Sequence, residues 1–373
     1  MQMTDYLNLS GTAPWDDANR RPFLIAGPCG VESPEQLAAI AGSLSKGGVQ
    51  MLRGGIWKPR TRPGSFQGIG EEGLRWLKDA GVSNGMYVTT EVAEPSHVEL
   101  ALKAGIDCLW VGARTVVNPF HVQRLADALT GVDIPVMVKN PLTPDLELWI
   151  GALERFNGAG ITRLAAIHRG FSAYERSRYR NSPNWPIPIE LKRRFPELPL
   201  FCDPSHIAGQ RTMITSVSQT ALDLHFDGLM VEVHHQPETA LSDRQQQLTP
   251  AEFFEMTDSL VIRRPRLDDL LSNSLLSGLR DEIDALDNEL LEKISRRMEL
   301  SRRIGQLKKE NDVIIYQLER WNEILRTRRQ FRTDGELELT PDFIVKLFEL
   351  IHEESIHQQT QVMNARQQSG EKV

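Results

Sequence analysis

The chain has 373 residues, and its 43 basic and 50 acidic side chains give a formal net charge of −7. This acidic balance argues against a nucleic-acid-binding protein, because such proteins normally carry a basic excess. Hydrophobic residues at 40% and charged residues at 25% are typical of globular proteins and exclude disordered and fibrous classes. The sequence shows no apolar run of roughly 18 residues, no signal peptide, and only three cysteines, too few for a disulfide framework. We therefore expect a cytoplasmic protein that lies in no membrane.

Glycine and proline are distributed unevenly along the chain. Only Pro341 of the 21 prolines, and only four of the 27 glycines, lie beyond residue 270. Both residue types separate strands from helices and are unfavourable inside helices. The sequence therefore predicts a turn-rich α/β domain over 1–262, a linker over 263–274, a helical domain over 275–360 and a polar tail over 361–373.

Eight short, β-prone apolar runs recur in the first part, spaced like repeated βα units. Helical patterns fill several of the gaps, for example over 34–45. Eight units in about 250 residues predict a (β/α)8 TIM barrel, with an open doubly wound sheet as the alternative. The runs are Phe23–Ala26, Val49–Leu52, Met86–Thr90, Cys108–Val111, Pro135–Val138, Leu164–Ile167, Leu200–Cys202 and Leu229–Val233.

Reactive or charged residues occur at the end of nearly every run. One such residue would be an ordinary loop position, but in a barrel the carboxyl ends of all strands converge on one face, where active sites lie. Because these residues recur at the same point of successive units, the end of each strand, we expect a functional site on that face. They are Cys29, Arg53, Glu91, Arg114, Lys139, His168, Arg169, Asp203, His206, Glu232 and His234.

These residues, with a few loop neighbours, form two chemical groups. Cys29, His206, Glu232 and Asp243 offer a thiolate, an imidazole and two carboxylates, a set typical of a transition metal such as manganese, iron, cobalt or zinc. For Cys29 the alternatives are a catalytic nucleophile or a buried inert thiol, and we expect the other two cysteines to be core residues. The second group is cationic and suits phosphates and carboxylates. It comprises Arg53, Lys58, Arg60, Arg114, Lys139 and Arg169.

Seven motifs in this part are Ala26-Gly-Pro-Cys-Gly-Val-Glu32, Leu52-Arg-Gly-Gly-Ile-Trp-Lys-Pro-Arg-Thr61, Ser65-Phe-Gln-Gly68, Val111-Gly-Ala-Arg114, Asp203-Pro-Ser-His206, Val231-Glu-Val-His234 and Ala240-Leu-Ser-Asp243. Together they resemble 3-deoxy-D-arabino-heptulosonate 7-phosphate (DAHP) synthase over about residues 20–262. The nearest subgroup is the smaller type I form, related to 3-deoxy-octulosonate 8-phosphate synthase. The resemblance implies a metal-dependent barrel that condenses phosphoenolpyruvate (PEP) with erythrose 4-phosphate.

The same resemblance implies which residues bind the metal. The ligands would be Cys29, His206, Glu232 and Asp243, and His206 would serve catalysis by holding the metal that activates the aldehyde. Metal-independent relatives have Asn at the position of Cys29, so we expect a divalent metal ion. We favour Mn2+, with Fe2+, Co2+ and Zn2+ as alternatives.

Substrate contacts are also implied by the resemblance. Arg60 and Thr61 would bind the phosphate of erythrose 4-phosphate, and Pro59-Arg60 replaces the Ala-Asn-Arg of octulosonate relatives, which favours the four-carbon sugar. Lys58 is additionally a candidate proton donor to the new alkoxide. The chain departs from the subgroup at Asn140-Pro141 and at His168-Arg169-Gly170, where Cys-Glu-Arg-Gly is usual. The implied PEP ligands are Arg53, Lys58, Arg114, Lys139 and Arg169.

The last hundred residues show helical periodicity. Apolar residues recur at spacings of three and four from Leu275 to about Lys309, with Asn273 or Ser274 as a candidate cap. About 35 helical residues span roughly 52 Å, longer than a small domain is wide, which indicates an intertwined dimer. Two further helices are predicted at Tyr316–Arg332 and Pro341–Gln359, the second with Pro at its first position.

Three basic residues of the long helix divide into two sets. Arg297 and Lys308 are separated by about 1100°, close to three full turns, so they share one face. Arg280 lies about 100° away from that face. An ordinary helical cation is solvent-exposed, but this arrangement also suits two cations in one binding site and a third directed to another.

Four segments of this part are Leu279-Arg-Asp-Glu-Ile-Asp-Ala-Leu-Asp287, Arg296-Arg297, Ile304-Gly-Gln-Leu-Lys308 and Glu354-Ser355 with Gln359. They resemble the all-helical type II chorismate mutase over about residues 275–360. The resemblance implies a domain-swapped homodimer in which Arg280 reaches the partner's site, and catalysis by Lys308 and Gln359 at the ether oxygen of chorismate. This chain has Gln317 and Trp321 where the family has Asp and Glu. The implied chorismate ligands are Arg280, Arg297, Lys308, Arg320, Ser355 and Gln359.

These resemblances imply a bifunctional enzyme that makes DAHP from PEP and erythrose 4-phosphate and converts chorismate to prephenate. Two alternatives stay open for the helical domain: a non-catalytic sensor of chorismate or prephenate, and a purely structural dimerisation module. The first predicted strand lies close to the start of this sequence, so we expect no separate N-terminal regulatory domain. We therefore expect prephenate bound to the helical domain to inhibit the barrel.

Overall fold

The computed structural model describes residues 7–9, 13–15, 22–59, 64–173, 177–264, 270–331 and 339–365. It divides the chain into two compact units, Met1–Pro265 and Arg266–Val373, which we describe separately. In these ranges, no helix combines the length and the apolar character needed to cross a membrane.

Eight parallel strands in the described part of the first unit form a closed barrel. Each strand pairs with the next along the chain, and β8 pairs with β1, which closes the sheet. This closure confirms the TIM barrel and excludes the open sheet. The strands are β1 Phe23–Gly27, β2 Met51–Arg53, β3 Tyr87–Val92, β4 Cys108–Val111, β5 Val136–Lys139, β6 Leu164–His168, β7 Leu200–Cys202 and β8 Gly228–Glu232.

Alternate residues of each strand belong to different layers of the core. Phe23 and Ile25 of β1 lie in the cluster inside the barrel, together with Trp110 and Phe201, whereas Ala26 packs in the larger cluster between strands and helices. The barrel is therefore filled with side chains and leaves the ends of its strands as the surface available for a site. The other two cysteines are in the core as predicted, because Cys108 and Cys202 are fully buried.

Helices surround the barrel, and several begin at a side chain that caps their first turn. Ser33 accepts a hydrogen bond from Gln36 N, and Thr249 forms a reciprocal capping box with Glu252. The helices of this unit are α1 Pro34–Leu44, α2 Glu71–Ser83, α3 Pro95–Lys103, α4 Ala113–Val116, α5 Pro119–Ala128, α6 Leu146–Gly158, α7 Pro186–Arg194, α8 Pro204–Ala208, α9 Ile214–Asp223 and α10 Pro250–Ser259.

The second unit is helical, with α11 Leu270–Glu310, α12 Leu318–Arg329 and α13 Pro341–Asn364. The predicted cap at Asn273 or Ser274 is wrong, because both residues lie inside α11. The predicted start of α13 is confirmed: Pro341 is its first residue, and the Thr340 hydroxyl accepts a hydrogen bond from Phe343 N at 3.3 Å. Helix α13 packs against both α11 and α12.

Apolar side chains lie exposed along most of α11. Leu275, Leu279, Ile283, Leu286 and Leu290 are between 55% and 69% exposed. They follow one another at spacings of three and four, so they form one face of the helix. A continuous apolar face of this length on a helix of 41 residues is unusual for a surface in contact with water.

Candidate active sites

A buried thiol and two carboxylates meet where the barrel closes. Cys29 follows β1, Glu232 ends β8, and Asp243 lies in the segment after β8. Their ligand atoms lie within 4.8 Å of one another, and the Cys29 thiol donates a hydrogen bond to Asp243 Oδ2 at 3.1 Å. Asp243 has a left-handed backbone with φ of 48°, which aspartate tolerates better than most residues. The structure thus brings together three of the four predicted metal ligands.

His206, the fourth, lies on the short helix α8. The Asp203 carboxylate caps this helix by accepting a hydrogen bond from His206 N at 3.1 Å, and Pro204 occupies its first position. His206 Nδ1 lies 2.8 Å from Asp203 Oδ2, and Nε2 lies 3.9 Å from Glu232 Oε1. Burial lowers the pKa of His206, an effect that Asp203 and Glu232 oppose without cancelling. The imidazole is therefore neutral near pH 7, the form that binds metals.

Lys58 reaches Cys29 from the loop after β2. Its Nζ donates a hydrogen bond to Cys29 O at 2.6 Å and lies 2.9 Å from Cys29 Sγ. This approach requires glycine at position 55, because a Cβ on Gly55 would lie 2.4 Å from Cys29 O and 3.2 Å from Lys58 Nζ. The predicted proton donor and a predicted metal ligand are therefore in direct contact.

The electrostatics of this cluster favour an added cation. Burial, followed by the charges of Glu232 and Asp243, raises the pKa of the Cys29 thiol to about 12, although Lys58 and Arg53 oppose this. A thiolate would form here only with more positive charge nearby. Thiolate, imidazole and carboxylate together suit borderline divalent metals, whose binding displaces the thiol proton. The chemistry of the four side chains therefore fits a divalent metal ion.

Arg53 is a buried guanidinium at the end of β2. It is 2% exposed, donates a hydrogen bond from Nη2 to Glu232 Oε1 at 3.1 Å, and lies 5.1 Å from the centroid of the Trp110 ring. Its Nε and Nη1 are buried and have no hydrogen-bond partner among the described residues. Because unpaired buried N–H groups of a cation are costly, they indicate a position for an anion.

Lys139 and Asp203 form a second buried ion pair, at the ends of β5 and β7. Lys139 Nζ lies 2.6 Å from Asp203 Oδ2, and the two side chains are 6% and 0% exposed. Burial would raise the pKa of Asp203, but His206 and Lys139 hold it well below its usual range. Asp203 therefore links a predicted PEP ligand to a predicted metal ligand, a role that sequence analysis did not assign to it.

Arg169 is buried directly after β6. Asn140 Oδ1 accepts a hydrogen bond from Arg169 N at 2.7 Å, and the Asn140 amide donates to Gly170 O at 2.9 Å. Burial lowers the pKa of Arg169 to about 10; Asp203 opposes this, and Arg180 and Arg114 add to it. The departure from the subgroup at Asn140 thus has a structural role, since this side chain clamps the backbone on both sides of the Arg169 carbonyl.

Two residues that sequence analysis missed contact the predicted metal ligands. Arg180 donates hydrogen bonds from Nη1 to Asp243 Oδ1 at 2.9 Å and to Gln246 Oε1, and Gln246 Nε2 donates to Glu232 Oε2 at 2.7 Å. Gln246 is 1% exposed. Its nearness to Asp243 in the sequence was an available signal, whereas Arg180 lies in the loop between β6 and α7 and had none. Arg60 and Thr61 lie outside the described residues.

A second group of polar residues joins α11 to α13. Arg297 Nη1 donates hydrogen bonds to Ser355 Oγ at 2.5 Å and to Ile351 O at 3.5 Å. Ser301 Oγ donates to Ser355 O at 3.2 Å and accepts from Gln359 Nε2 at 3.1 Å. Gln359 is 9% exposed, and its Oε1 is buried with no hydrogen-bond partner in the described part of the chain. Three of the predicted chorismate ligands are therefore in one connected group.

The remaining predicted chorismate ligands have different surroundings. Lys308 Nζ donates a hydrogen bond to Ile315 O at 2.5 Å, and burial lowers its pKa. Burial, and then Arg328, lowers the pKa of Arg297 as well. Arg320 pairs with Glu323 on α12, and Arg280 is exposed on α11. Arg297 and Lys308 thus share a partly buried environment from which Arg280 differs, in line with the helical phases.

A closed parallel barrel with a metal-type cluster and buried cations at the carboxyl ends of its strands is the architecture of a TIM-barrel enzyme that handles anions. Residues 16–262 match the model of the DAHP synthetase I family, and residues 279–360 match that of chorismate mutase type II. The chain therefore belongs to the DAHP synthetase I family and carries a C-terminal chorismate mutase type II domain. Both family resemblances seen in the sequence are confirmed.

Individual relatives agree with this assignment. The chain is 37% identical over 249 residues to the phospho-2-dehydro-3-deoxyheptonate aldolase of Thermotoga maritima, covering 66% of this chain and 70% of that protein. It is 28% identical over 251 residues to the 2-dehydro-3-deoxyphosphooctonate aldolase of Geobacter metallireducens, covering 60% and 85%. The crystal structure of the Thermotoga maritima DAHP synthase superposes with a TM-score of 0.58 at 34% identity, covering 63% of this chain and 67% of that one.

Proposed function

We propose that this chain condenses PEP with erythrose 4-phosphate to DAHP in its barrel, and rearranges chorismate to prephenate in its helical unit. The observation that carries the first half is the Cys29, Glu232 and Asp243 cluster beside the unpartnered N–H groups of Arg53. The helical half is supported by the connected group around Arg297. The direct test is to supply each substrate set to the full-length chain, since absence of either product would reject that half.

The buried cations are suited to bind PEP, which carries a phosphate and a carboxylate. Arg53 and Arg169 offer planar guanidinium groups and Lys139 a compact charge. In the reaction, C3 of PEP attacks the aldehyde carbon, water adds at C2, and phosphate leaves. Lys58 donates a proton to the new alkoxide. The proposed PEP ligands are Arg53, Lys58, Arg114, Lys139 and Arg169, with Arg60 and Thr61 binding the phosphate of the aldose.

A divalent metal is held by Cys29, His206, Glu232 and Asp243 in this proposal, and Mn2+ is the favoured ion. When bound, it supplies a Lewis acid for the aldehyde oxygen. The chain's own contribution is to position these ligands: Arg180 and Gln246 hydrogen-bond the two carboxylates, and Asp203 lies against the His206 ring.

The preferred sugar follows from the loop after β2. We place the barrel in the smaller type I subgroup related to octulosonate synthases, which the similarity to the Geobacter metallireducens aldolase supports. Within that subgroup, Pro59-Arg60 in place of Ala-Asn-Arg favours erythrose 4-phosphate over a five-carbon sugar phosphate.

The helical reaction needs no nucleophile and no proton transfer. Catalysis then consists of holding a dicarboxylate in a compact conformer and placing hydrogen-bond donors at the breaking ether bond. In the proposed site, Lys308 and Gln359 serve the ether oxygen. In the structure Lys308 Nζ donates to Ile315 O and Gln359 Nε2 donates to Ser301 Oγ, so in this proposal both donors turn to the ether oxygen when the ligand binds. The proposed ligands are Arg297, Lys308, Arg320, Ser355 and Gln359, with Arg280 contributed by a second copy.

A homodimer through α11 follows from its exposed apolar face. Replacing Leu286 by glutamate places a charge in the middle of that face, where burial of an unpaired carboxylate would be costly. We expect L286E to be monomeric in analytical ultracentrifugation and to lose mutase activity, because each site would lack Arg280 of its partner. The matched control is N288E at an exposed polar position nearby, which should remain dimeric. A dimeric L286E variant would contradict the α11 interface.

Feedback inhibition is the regulatory part of the proposal. Prephenate bound at Arg297 in the helical unit inhibits DAHP synthesis in the barrel. We expect prephenate to slow DAHP formation by the full-length chain. The R297A variant should form DAHP at the wild-type rate without prephenate, and prephenate should not slow it. Equal inhibition of wild type and R297A would show that prephenate acts elsewhere, for example by competing with PEP.

A further inference from the structure

His352 on α13 has an environment that none of the roles above explains. Its ring stacks on that of Trp321, with centroids 4.0 Å apart and an interplanar angle of 11°, and Tyr316 lies 6.1 Å away. The stack fixes the orientation of the imidazole. Its Nε2 is nevertheless buried without a hydrogen-bond partner among the described residues. A buried, oriented and unsatisfied nitrogen indicates that something absent from the chain itself pairs with it.

The position of His352 places it beside the proposed chorismate site. Arg297 Nη1 contacts Ile351 O and Ser355 Oγ. Ile351 directly precedes His352, and Ser355 follows it by about one helical turn. Lys308 is anchored at Ile315 O, next to Tyr316 of the aromatic group. Burial, then Arg297 and Lys308, lowers the pKa of His352. The imidazole is therefore neutral near pH 7 and lies close to both cations.

The cations Arg297 and Lys308 and the neutral imidazole of His352 would recognise different parts of a polar ligand. Cations bind carboxylates, whereas a neutral imidazole suits an uncharged group that can both donate and accept a hydrogen bond. We propose that His352 contacts the bound ligand directly, through a hydrogen bond between its Nε2 and the ring hydroxyl of chorismate or prephenate, with Trp321 as the platform that orients the ring. This inference rests on the proposed function of the helical unit, and it gives Trp321 a role at the position where the family has Glu.

Prephenate binding to the full-length chain, measured by isothermal titration calorimetry, tests the proposal. The variant H352F keeps an aromatic ring on Trp321 and removes both nitrogens. We expect it to bind prephenate about tenfold more weakly, the usual effect of losing one hydrogen bond in a site. The matching dicarboxylate without its ring hydroxyl should bind wild type and H352F equally. Equal weakening for both ligands would indicate altered packing and would overturn the proposal.

Two further variants separate this inference from the function on which it rests. H357F makes the same substitution at an exposed position of α13 and should bind prephenate like the wild type. R297A removes a proposed carboxylate contact. If R297A loses prephenate binding while H352F keeps it, the role of His352 is wrong and the site stands. If both variants bind like the wild type, the helical site itself is wrongly assigned.

Discussion

Replacing Cys29 by alanine should abolish DAHP synthesis, with a loss on the order of 10³-fold or more, while leaving the mutase rate unchanged. The reason is that Cys29 lies within 4.8 Å of two carboxylates and is the proposed thiolate ligand. Lewis-acid activation contributes several kcal/mol to such reactions, and each ~1.4 kcal/mol is a factor of ten in rate. Metal content measured by atomic emission should fall in parallel, and chelation by EDTA should reproduce the defect in the wild-type chain.

The matched control is C108A, which removes a fully buried thiol at the first residue of β4, whereas the cluster lies at the carboxyl ends of the strands. It should retain both metal and activity. A C29A variant that loses activity but keeps a full complement of metal would instead support a nucleophilic role for Cys29. Full activity after EDTA, in protein shown to contain no metal, would contradict the metal site altogether.

The second large effect is expected at Lys308, whose replacement by glutamine should reduce the chorismate mutase rate by roughly 10²- to 10³-fold. This is the usual cost of removing one oriented donor from developing transition-state charge. The loss should appear mainly in kcat, because the contact is strongest at the breaking bond. Conversion of chorismate can be followed directly by its absorbance, and DAHP synthesis by the same preparation reports that the barrel is intact.

Lys309 provides the control for this substitution. It is the next residue along α11, and its Nζ hydrogen-bonds Val362 O and Ala365 O near the end of α13. K309Q should therefore keep most of the mutase activity. An active K308Q variant would remove Lys308 from the mechanism. An inactive wild-type chain that still binds prephenate would identify the helical unit as a sensor, and one that neither reacts nor binds would leave a dimerisation module.

The strands were predictable because a buried parallel sheet requires short, continuous apolar runs. The exact boundaries of the strands were less predictable. Arg53 proved to be the last residue of β2, Glu91 lies within β3, and Arg114 lies on α4. Apolar periodicity cannot place polar residues at a boundary, since a strand accepts a buried charge when a partner such as Glu232 is present. Closure of the barrel also stayed open, because it depends on pairing between β1 and β8 at opposite ends of the domain.

In the helical unit, periodicity located all three helices but not the start of the first. Asn273 and Ser274 are typical cap residues, yet α11 continues through them to Leu270. The helix propensities of Asn and Ser are less favourable than that of Ala by only a few tenths of a kcal/mol per residue. This difference is too small to end a helix that continues on both sides of these residues. The angular positions calculated from the residue numbers did place Arg280 on a different helix face from Arg297 and Lys308, because helix geometry is regular over such distances.

By itself, the sequence determined a parallel α/β class of eight strand–helix units for the first part of the chain, a helical class for the second, both enzyme families and the types of residue that gather at the strand ends. These follow from local periodicity and from short motifs whose members are close together in the chain. Only the tertiary structure decided which charges meet: Arg53 with Glu232, Lys139 with Asp203, and Arg180 with Asp243. It also placed Trp321 against His352. Such pairs join distant segments, and they form because a charge or polar ring taken out of water must find its partner wherever the fold places one.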